Sequence, residues 1–146
     1  MKKIIIINGP NLNLLGNRET KIYGTLSLKD IEESCKKKCE ELNINLFFFQ
    51  SNNEGEMINL IHSVEKEYEG IIINPAAYTH TSVALLDALR AISKPKIEIH
   101  LSNIYNREDY RKDSITSKGV DGIICGFSSF SYILAIEALN NLINDK

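Results

Sequence analysis

The sequence predicts an α/β protein whose five strands form a doubly wound parallel sheet with helices on both faces. Three observations predict it. Runs of β-branched and aromatic residues alternate with helical periods about five times along the 146 residues. Ile4 to Ile7 and Ile71 to Ile73 are apolar without alternation, as strands covered on both faces are. No tandem repeat, linker or low-complexity tract breaks the pattern, and the length suits one domain spanning 1–146.

The elements follow in order. Ile4 to Ile7 form the first strand; with Met1-Lys2-Lys3 they mimic a signal peptide, but the run is shorter than the ~7 to 15 apolar residues of a secretory core. Asn8 to Gly24 has no clean period, and loops of that length in a compact domain are usually functional. Glycines at 9, 16 and 24 can serve as hinges, so a mobile lid is expected at about 9–25, carrying Arg18 and Tyr23. Ser27 with Asp30 reads as a capping box with the shorter acid, and Leu28, Ile31, Cys35, Cys39 and Leu42 form the first helical stripe. Ile44 to Phe49 give the second strand, and Met57, Ile58, Ile61, Val64 and Tyr68 mark the second helix.

The third strand, Ile71 to Ile73, ends at Asn74-Pro75, because proline has no donor for the sheet. Thr79, His80 and Thr81 then stand where the third helix is expected to begin, its orphan N–H groups facing the strand end. Val83, Leu86, Leu89 and Ile92 turn inward, and Ser93-Lys94-Pro95 stops that helix. In strand four, Lys96 to His100, Ile97 and Ile99 alternate with Glu98 and His100, so the polar pair either faces solvent or points into a site. Asn103 to Ser117 is polar and irregular, with at most a helical turn around Arg107 to Arg111. Val120 to Cys125 make strand five and Phe130 to Ile143 the last helix.

Composition excludes several classes. A hydrophobic content of 43%, 25% charged residues and a net charge of -2 leave no basic stripe for a nucleic-acid backbone. No apolar run approaches the ~20 residues of a membrane span, so a cytoplasmic protein is expected. Cys35 and Cys39 lack Cys-x-x-Cys spacing and Cys125 lies in an apolar strand; all three read as packing side chains rather than metal or redox groups.

Ligands of open parallel sheets sit outside the carboxyl ends of the strands. With strand order 2-1-3-4-5, strands one and three flank the switch point and strand four is next, which brings the lid, Asn74 and His100 to one crevice. Its usual tenants find little support. Asn8-Gly-Pro-Asn has neither a dinucleotide nor a phosphate-loop spacing, and Asn74 stands where a phospho-accepting receiver needs aspartate. No metal set is evident, since His62, His80 and His100 come from different segments. What remains is Asn11, Asn74 and Ser102, two histidines, and arginines at 18, 107 and 111, a set suited to a hydroxylated, anionic small molecule. Each also has a plainer reading. Arg107 and Arg111 are by default a solvated face, His80 a helix-start residue and Tyr23 a loop anchor, while His100 beside Ser102 leans towards function.

Several segments taken together resemble one family. They are Asn11-Leu-Asn-Leu-Leu-Gly16 with Arg18-Glu19 and Tyr23-Gly24, Gln50-Ser-Asn with Glu54-Gly55, Asn74-Pro75 with Ala77-Tyr-Thr-His-Thr-Ser82, and Glu98-Ile-His-Leu-Ser-Asn103 with Arg107-Glu108 and Arg111. In order and spacing, over nearly the whole chain, they closely resemble type II 3-dehydroquinate dehydratase (3-dehydroquinase), ending with Tyr132-Ile-Leu-Ala135. The resemblance implies a flavodoxin-like enzyme of the shikimate pathway that removes water from 3-dehydroquinate to give 3-dehydroshikimate, without metal, nucleotide or Schiff base. It implies an anti elimination through an enolate, with Tyr23 as base and His100 as acid. Arg18 would stabilise charge near Tyr23, and Glu98 would orient His100, with which it shares a strand face. Asn74 would hold the water or enolate oxygen, with Asn11 also among the substrate-binding residues. His80 and Arg111 would bind ring hydroxyls, and the N–H groups of Leu101 and Ser102 would cradle the carboxylate. Asp87 would reach a neighbouring subunit's site in a dodecamer built of trimers.

The chain departs from the family at Ala76, where glycine is usual, at Thr20, where proline is common, at Leu86, where arginine often precedes the aspartate, and in the serines at 128 and 131. Two rival classes are a binding module for a polyol acid, with Tyr23 and His100 idle, and a signalling scaffold, which the missing receiver aspartates disfavour.

Overall fold

The computed structural model describes residues 1–17, 19–23 and 25–145. Strands β1 (Lys2–Asn8), β2 (Ile44–Gln50), β3 (Gly70–Asn74), β4 (Lys96–His100) and β5 (Gly122–Cys125) form one parallel sheet in the order β2-β1-β3-β4-β5. Successive side chains of a strand point to opposite faces. Ile4, Ile6, Ile72, Ile97 and Ile99 therefore pack under α2 (Leu28–Glu41) and α5 (Phe130–Asn144). Ile5, Ile7, Ile71 and Ile73 pack under α3 (Glu54–Glu67) and α4 (Val83–Ala91). With both faces covered, the isoleucine runs are apolar throughout, and the flavodoxin-like fold is the one the sequence predicts.

Local chemistry sets the helix starts. Ser27 accepts from the Asp30 N–H at 3.1 Å while Asp30 accepts from the Ser27 N–H at 3.1 Å, closing the predicted capping box on α2. Asn53 caps α3, which starts at Glu54, ahead of its first apolar residue. The third long helix starts later than expected: Ala76–His80 forms a 3₁₀ turn, and Ser82 is the cap of α4. The reason lies at Ala76, whose φ of 53° is left-handed and turns the chain sharply after Pro75, spending Thr79 and His80 on the turn. Strand β5 opens at Gly122, because Val120 closes a turn over Thr116–Gly119. The irregular segment after β4 is three 3₁₀ turns, Ile104–Asn106, Asp109–Arg111 and Thr116–Gly119.

At the switch point the register pairs Asn8 with Asn74. Gly9 follows at once, its N–H donating to the Asn74 carbonyl at 2.8 Å. A Cβ there would stand 2.6 Å from the Pro75 carbonyl oxygen, so only glycine lets these two strand ends close together. Within the long loop, Leu12–Leu14 is a 3₁₀ turn and Thr20–Tyr23 a short helix, α1. Among the described residues no helix is long and apolar enough to cross a membrane.

Candidate active site

The carboxyl ends of β1, β3 and β4 border a cleft enclosing about 110 Å³. Asn11 enters from the loop after β1, Tyr23 from α1, and Asn74 and His80 from the end of β3 and the turn beyond. His100, Leu101, Ser102 and Arg111 come from the end of β4 and the segment following it. The structure thus brings together the predicted cleft residues, with three exceptions. Arg18 lies outside the described residues. Asp87 is exposed on α4 and does not line this chain's cleft. Glu98 sits behind the cleft, wholly buried.

Tyr23, at the end of α1, is also held from the segment after β4. Arg107 donates from Nη1 to its hydroxyl at 2.8 Å and to Ser102 Oγ at 3.4 Å, and its guanidinium lies 5.3 Å from the ring centroid. The default reading of Arg107 as a solvated face is corrected here: its side chain is only 11% exposed, and it lines the cleft. Nothing in the sequence paired it with Tyr23, from which it is 84 residues distant. Arg111 stands nearby, its Nε 3.0 Å from Glu108 Oε2. That contact is an ion pair without a directed hydrogen bond, because the buried Nε–H has no hydrogen-bond partner. Glu108 lies between both guanidinium groups, which help hold its carboxyl below the usual carboxylate range after its own backbone N–H has done so.

His100 is the better-defined half of the site. Its Nε2 meets Glu98 Oε2 at 2.7 Å on the shared strand face, and the ring is 5% exposed. A carboxylate accepts only, so Nε2 carries a proton and the other ring nitrogen is the one left for chemistry. Burial would raise the Glu98 carboxyl, yet the hydrogen bond and charge of His100, with the Thr116 and Thr79 hydroxyls, bring it below its ordinary value. Thr79 donates to Oε2 at 2.9 Å, Ser114 to the same oxygen at 3.1 Å, and Thr116 to Oε1 at 2.6 Å. A buried carboxylate this well supplied with donors keeps its charge. The question the alternation in β4 leaves open is settled: Glu98 and His100 face inward.

His80 is oriented too. Its Nδ1 lies 2.7 Å from the Asp113 carbonyl oxygen, which can only accept, so the proton is on Nδ1 and Nε2 is left over. Asn11 takes a left-handed φ of 70°, which asparagine tolerates, and its N–H donates to Asn52 Oδ1 at 2.9 Å. Gln50 joins this anchorage, donating to the Gly9 carbonyl at 3.2 Å and to Asn52 Oδ1 at 3.1 Å. Sequence reasoning also missed Asn8 and Tyr132, which touch Asn74 or its neighbours from beneath the cleft. Among the described residues no cluster of three or more His, Cys, Asp or Glu could hold a metal ion.

Fold and cleft define a class: a flavodoxin-like α/β protein with a phenol held by a guanidinium and an imidazole held by a buried carboxylate, both facing one cleft. Comparison narrows the class. A family model described as dehydroquinase class II matches residues 2–140. The chain is 52% identical to a 3-dehydroquinate dehydratase of Clostridium botulinum (strain Okra / Type B1), covering 100% of both chains. It is 51% identical to one of Thermoanaerobacter pseudethanolicus, covering 97% of this chain and 96% of the relative. The crystal structure of type II dehydroquinase from Butyrivibrio crossotus superposes with a TM-score of 0.93 at 43% identity, over 95% of this chain and 97% of that one. The chain belongs to the class II dehydroquinase family.

Proposed function

We propose that this chain, as a type II 3-dehydroquinate dehydratase of the shikimate pathway, eliminates water with its own side chains as acid and base. Tyr23 takes the proton α to the ketone, giving an enolate, and His100 then protonates the departing hydroxyl. The product is the conjugated enone 3-dehydroshikimate, and no metal, nucleotide or Schiff base takes part. One observation carries the assignment: the Tyr23 hydroxyl on Arg107 and the His100 ring on Glu98 open on the same cleft. A free phenol ionises near pH ~10, so a phenolate base near neutrality needs cationic neighbours. Arg107 is one, and Arg18 on the lid at about 9–25 is the second. The buried Glu98 carboxylate accepts from His100 Nε2 and orients the ring, so that its other nitrogen serves as the acid in the cleft.

Asn74 donates to the water or enolate oxygen, and Asn11 joins it. His80 and Arg111 bind ring hydroxyls, and the Leu101 and Ser102 N–H groups hold the carboxylate. We infer further that the enzyme works in the cytoplasm as one domain assembled into a dodecamer of trimers, in which Asp87 reaches a neighbour's cleft. Its exposed place on α4, away from its own cleft, supports that reading.

The test is ultraviolet absorbance after mixing chelator-treated protein with 3-dehydroquinate, with Tyr23→Phe beside the wild type. A wild-type rise that survives chelator and borohydride, and falls by orders of magnitude in Tyr23→Phe, is expected. A covalent adduct trapped by borohydride, or a near-normal rate in Tyr23→Phe, would refute the assignment.

A further inference from the structure

Beneath the cleft, three buried side chains from β1, β3 and α5 form a chain of hydrogen bonds whose directions are all determined. Asn8 is fixed first. Its Nδ2 donates to the Phe49 carbonyl at 2.9 Å, so Oδ1 is the end that faces Tyr132, whose hydroxyl donates to it at 2.5 Å. Burial pushes the Tyr132 phenol above its usual range, so it keeps that proton. With the proton committed to Asn8, the Tyr132 oxygen offers only lone pairs to Asn74, and Asn74 Nδ2 is the donor in their 3.1 Å contact. The other end of the amide agrees, because Asn74 Oδ1 accepts from the Ala76 N–H at 3.2 Å. Asn8 and Tyr132 are 0% and Asn74 2% exposed, so water does not compete for these groups. An amide nitrogen has two hydrogens. Tyr132 takes one of Asn74's, and the second is left for the cleft that Asn74 lines.

We propose that Tyr132, backed by Asn8, is a positioning residue that locks the Asn74 amide so that the cleft meets an N–H and not a carbonyl oxygen. The proposal rests on the role given to Asn74 above. Amide oxygen and nitrogen are nearly the same size, so sterics alone would admit the flipped group. Flipped, it would aim a lone pair at the oxygen that becomes anionic in the enolate. The lock matters to the transition state more than to binding, since the negative charge develops only there.

A double-mutant cycle on turnover of 3-dehydroquinate separates this role from a merely structural one. Asn74→Ala is expected to lower kcat roughly 100-fold, the scale of one lost oxyanion donor. Tyr132→Phe keeps the ring and removes only the hydroxyl. It is expected to lower kcat about tenfold with KM changed less than about threefold, and to add less than about twofold on the Asn74→Ala background. Asn8→Ala, read against the same background, answers the question if Tyr132→Phe does not fold; it should lower kcat several-fold, and only where Asn74 is present. Wild-type turnover in Asn74→Ala would remove the role of Asn74, and the proposal with it. A slow Asn74→Ala combined with a Tyr132→Phe loss that is absent, or that multiplies in full, would leave Asn74 in place and overturn the proposal alone.

Discussion

Replacing Arg107 with alanine tests the electrostatics of the site most sharply. In the structure its Nη1 is 2.8 Å from the Tyr23 hydroxyl oxygen, and the side chain is 11% exposed. Once Tyr23 is a phenolate, opposite unit charges about 4 Å apart attract by about 4 kcal/mol at an effective dielectric of ~20. Water entering the space left by the guanidinium reduces the net loss to about 2 to 3 kcal/mol, a fall in kcat of roughly 30- to 150-fold. Arg107→Lys restores the charge without the planar fork and should recover part of that loss. The assay is the initial rate of enone absorbance under saturating 3-dehydroquinate, with folding checked by thermal melting. An Arg107→Ala enzyme within about threefold of wild type would refute the claim that a cation on the Tyr23 hydroxyl supports the base.

Further outcomes follow from other parts of the molecule. The folded Glu98 carboxyl lies below its ordinary value, so its contribution to stability is present above the unfolded carboxylate range and is lost as pH falls through and below it. Urea melts at neutral and acid pH should therefore show a smaller acid loss in Glu98→Gln than in wild type, and that variant should also show a moved pH–rate profile; unchanged acid sensitivity and profile together would refute the role of the pair. Burial pushes the Cys35 and Cys39 thiols up to about 12, so a thiol-alkylating reagent at mildly alkaline pH should label neither in the native protein, and native labelling of either would contradict that burial. At Ala76, glycine removes a left-handed penalty of roughly 1 to 2 kcal/mol and adds roughly 0.5 to 1 kcal/mol of unfolded-state entropy, so Ala76→Gly should gain about 0.5 kcal/mol in urea melts; a loss would refute the strain. Light scattering should find the mass of twelve chains if Asp87 completes a neighbour's cleft, and a monomer would remove that role.

Much of this was readable from the chain because local rules carried it. The isoleucine runs, the Ser27–Asp30 box and the Pro75 stop are decided within a few residues, and they mark the strands and helix ends, while the strand order came with the flavodoxin-like fold that the family resemblance implied. The Glu98–His100 pair was legible for the same reason: two residues apart on a strand means one face. What stayed hidden was made by the fold. Arg107 reaches Tyr23 across 84 residues, and Tyr132 reaches Asn8 across 124. The hydroxyls around Glu98 come from the β3 turn and from the irregular segment before β5, where serine and threonine read as ordinary loop residues. The late start of α4 follows from a left-handed alanine, a conformation no propensity would assign to that residue. Glycine is the residue that would be least strained at that position.

The division of labour between Tyr23 and His100 is the central claim, and proton exchange in deuterated water reads each half separately. With 3-dehydroquinate in deuterium oxide, His100→Gln should incorporate deuterium α to the ketone faster than it forms enone, because the base still works while the leaving hydroxyl lacks its acid. Tyr23→Phe should lose exchange and elimination together. Exchange persisting in Tyr23→Phe, or lost in His100→Gln while elimination continues, would contradict the assignment of base and acid.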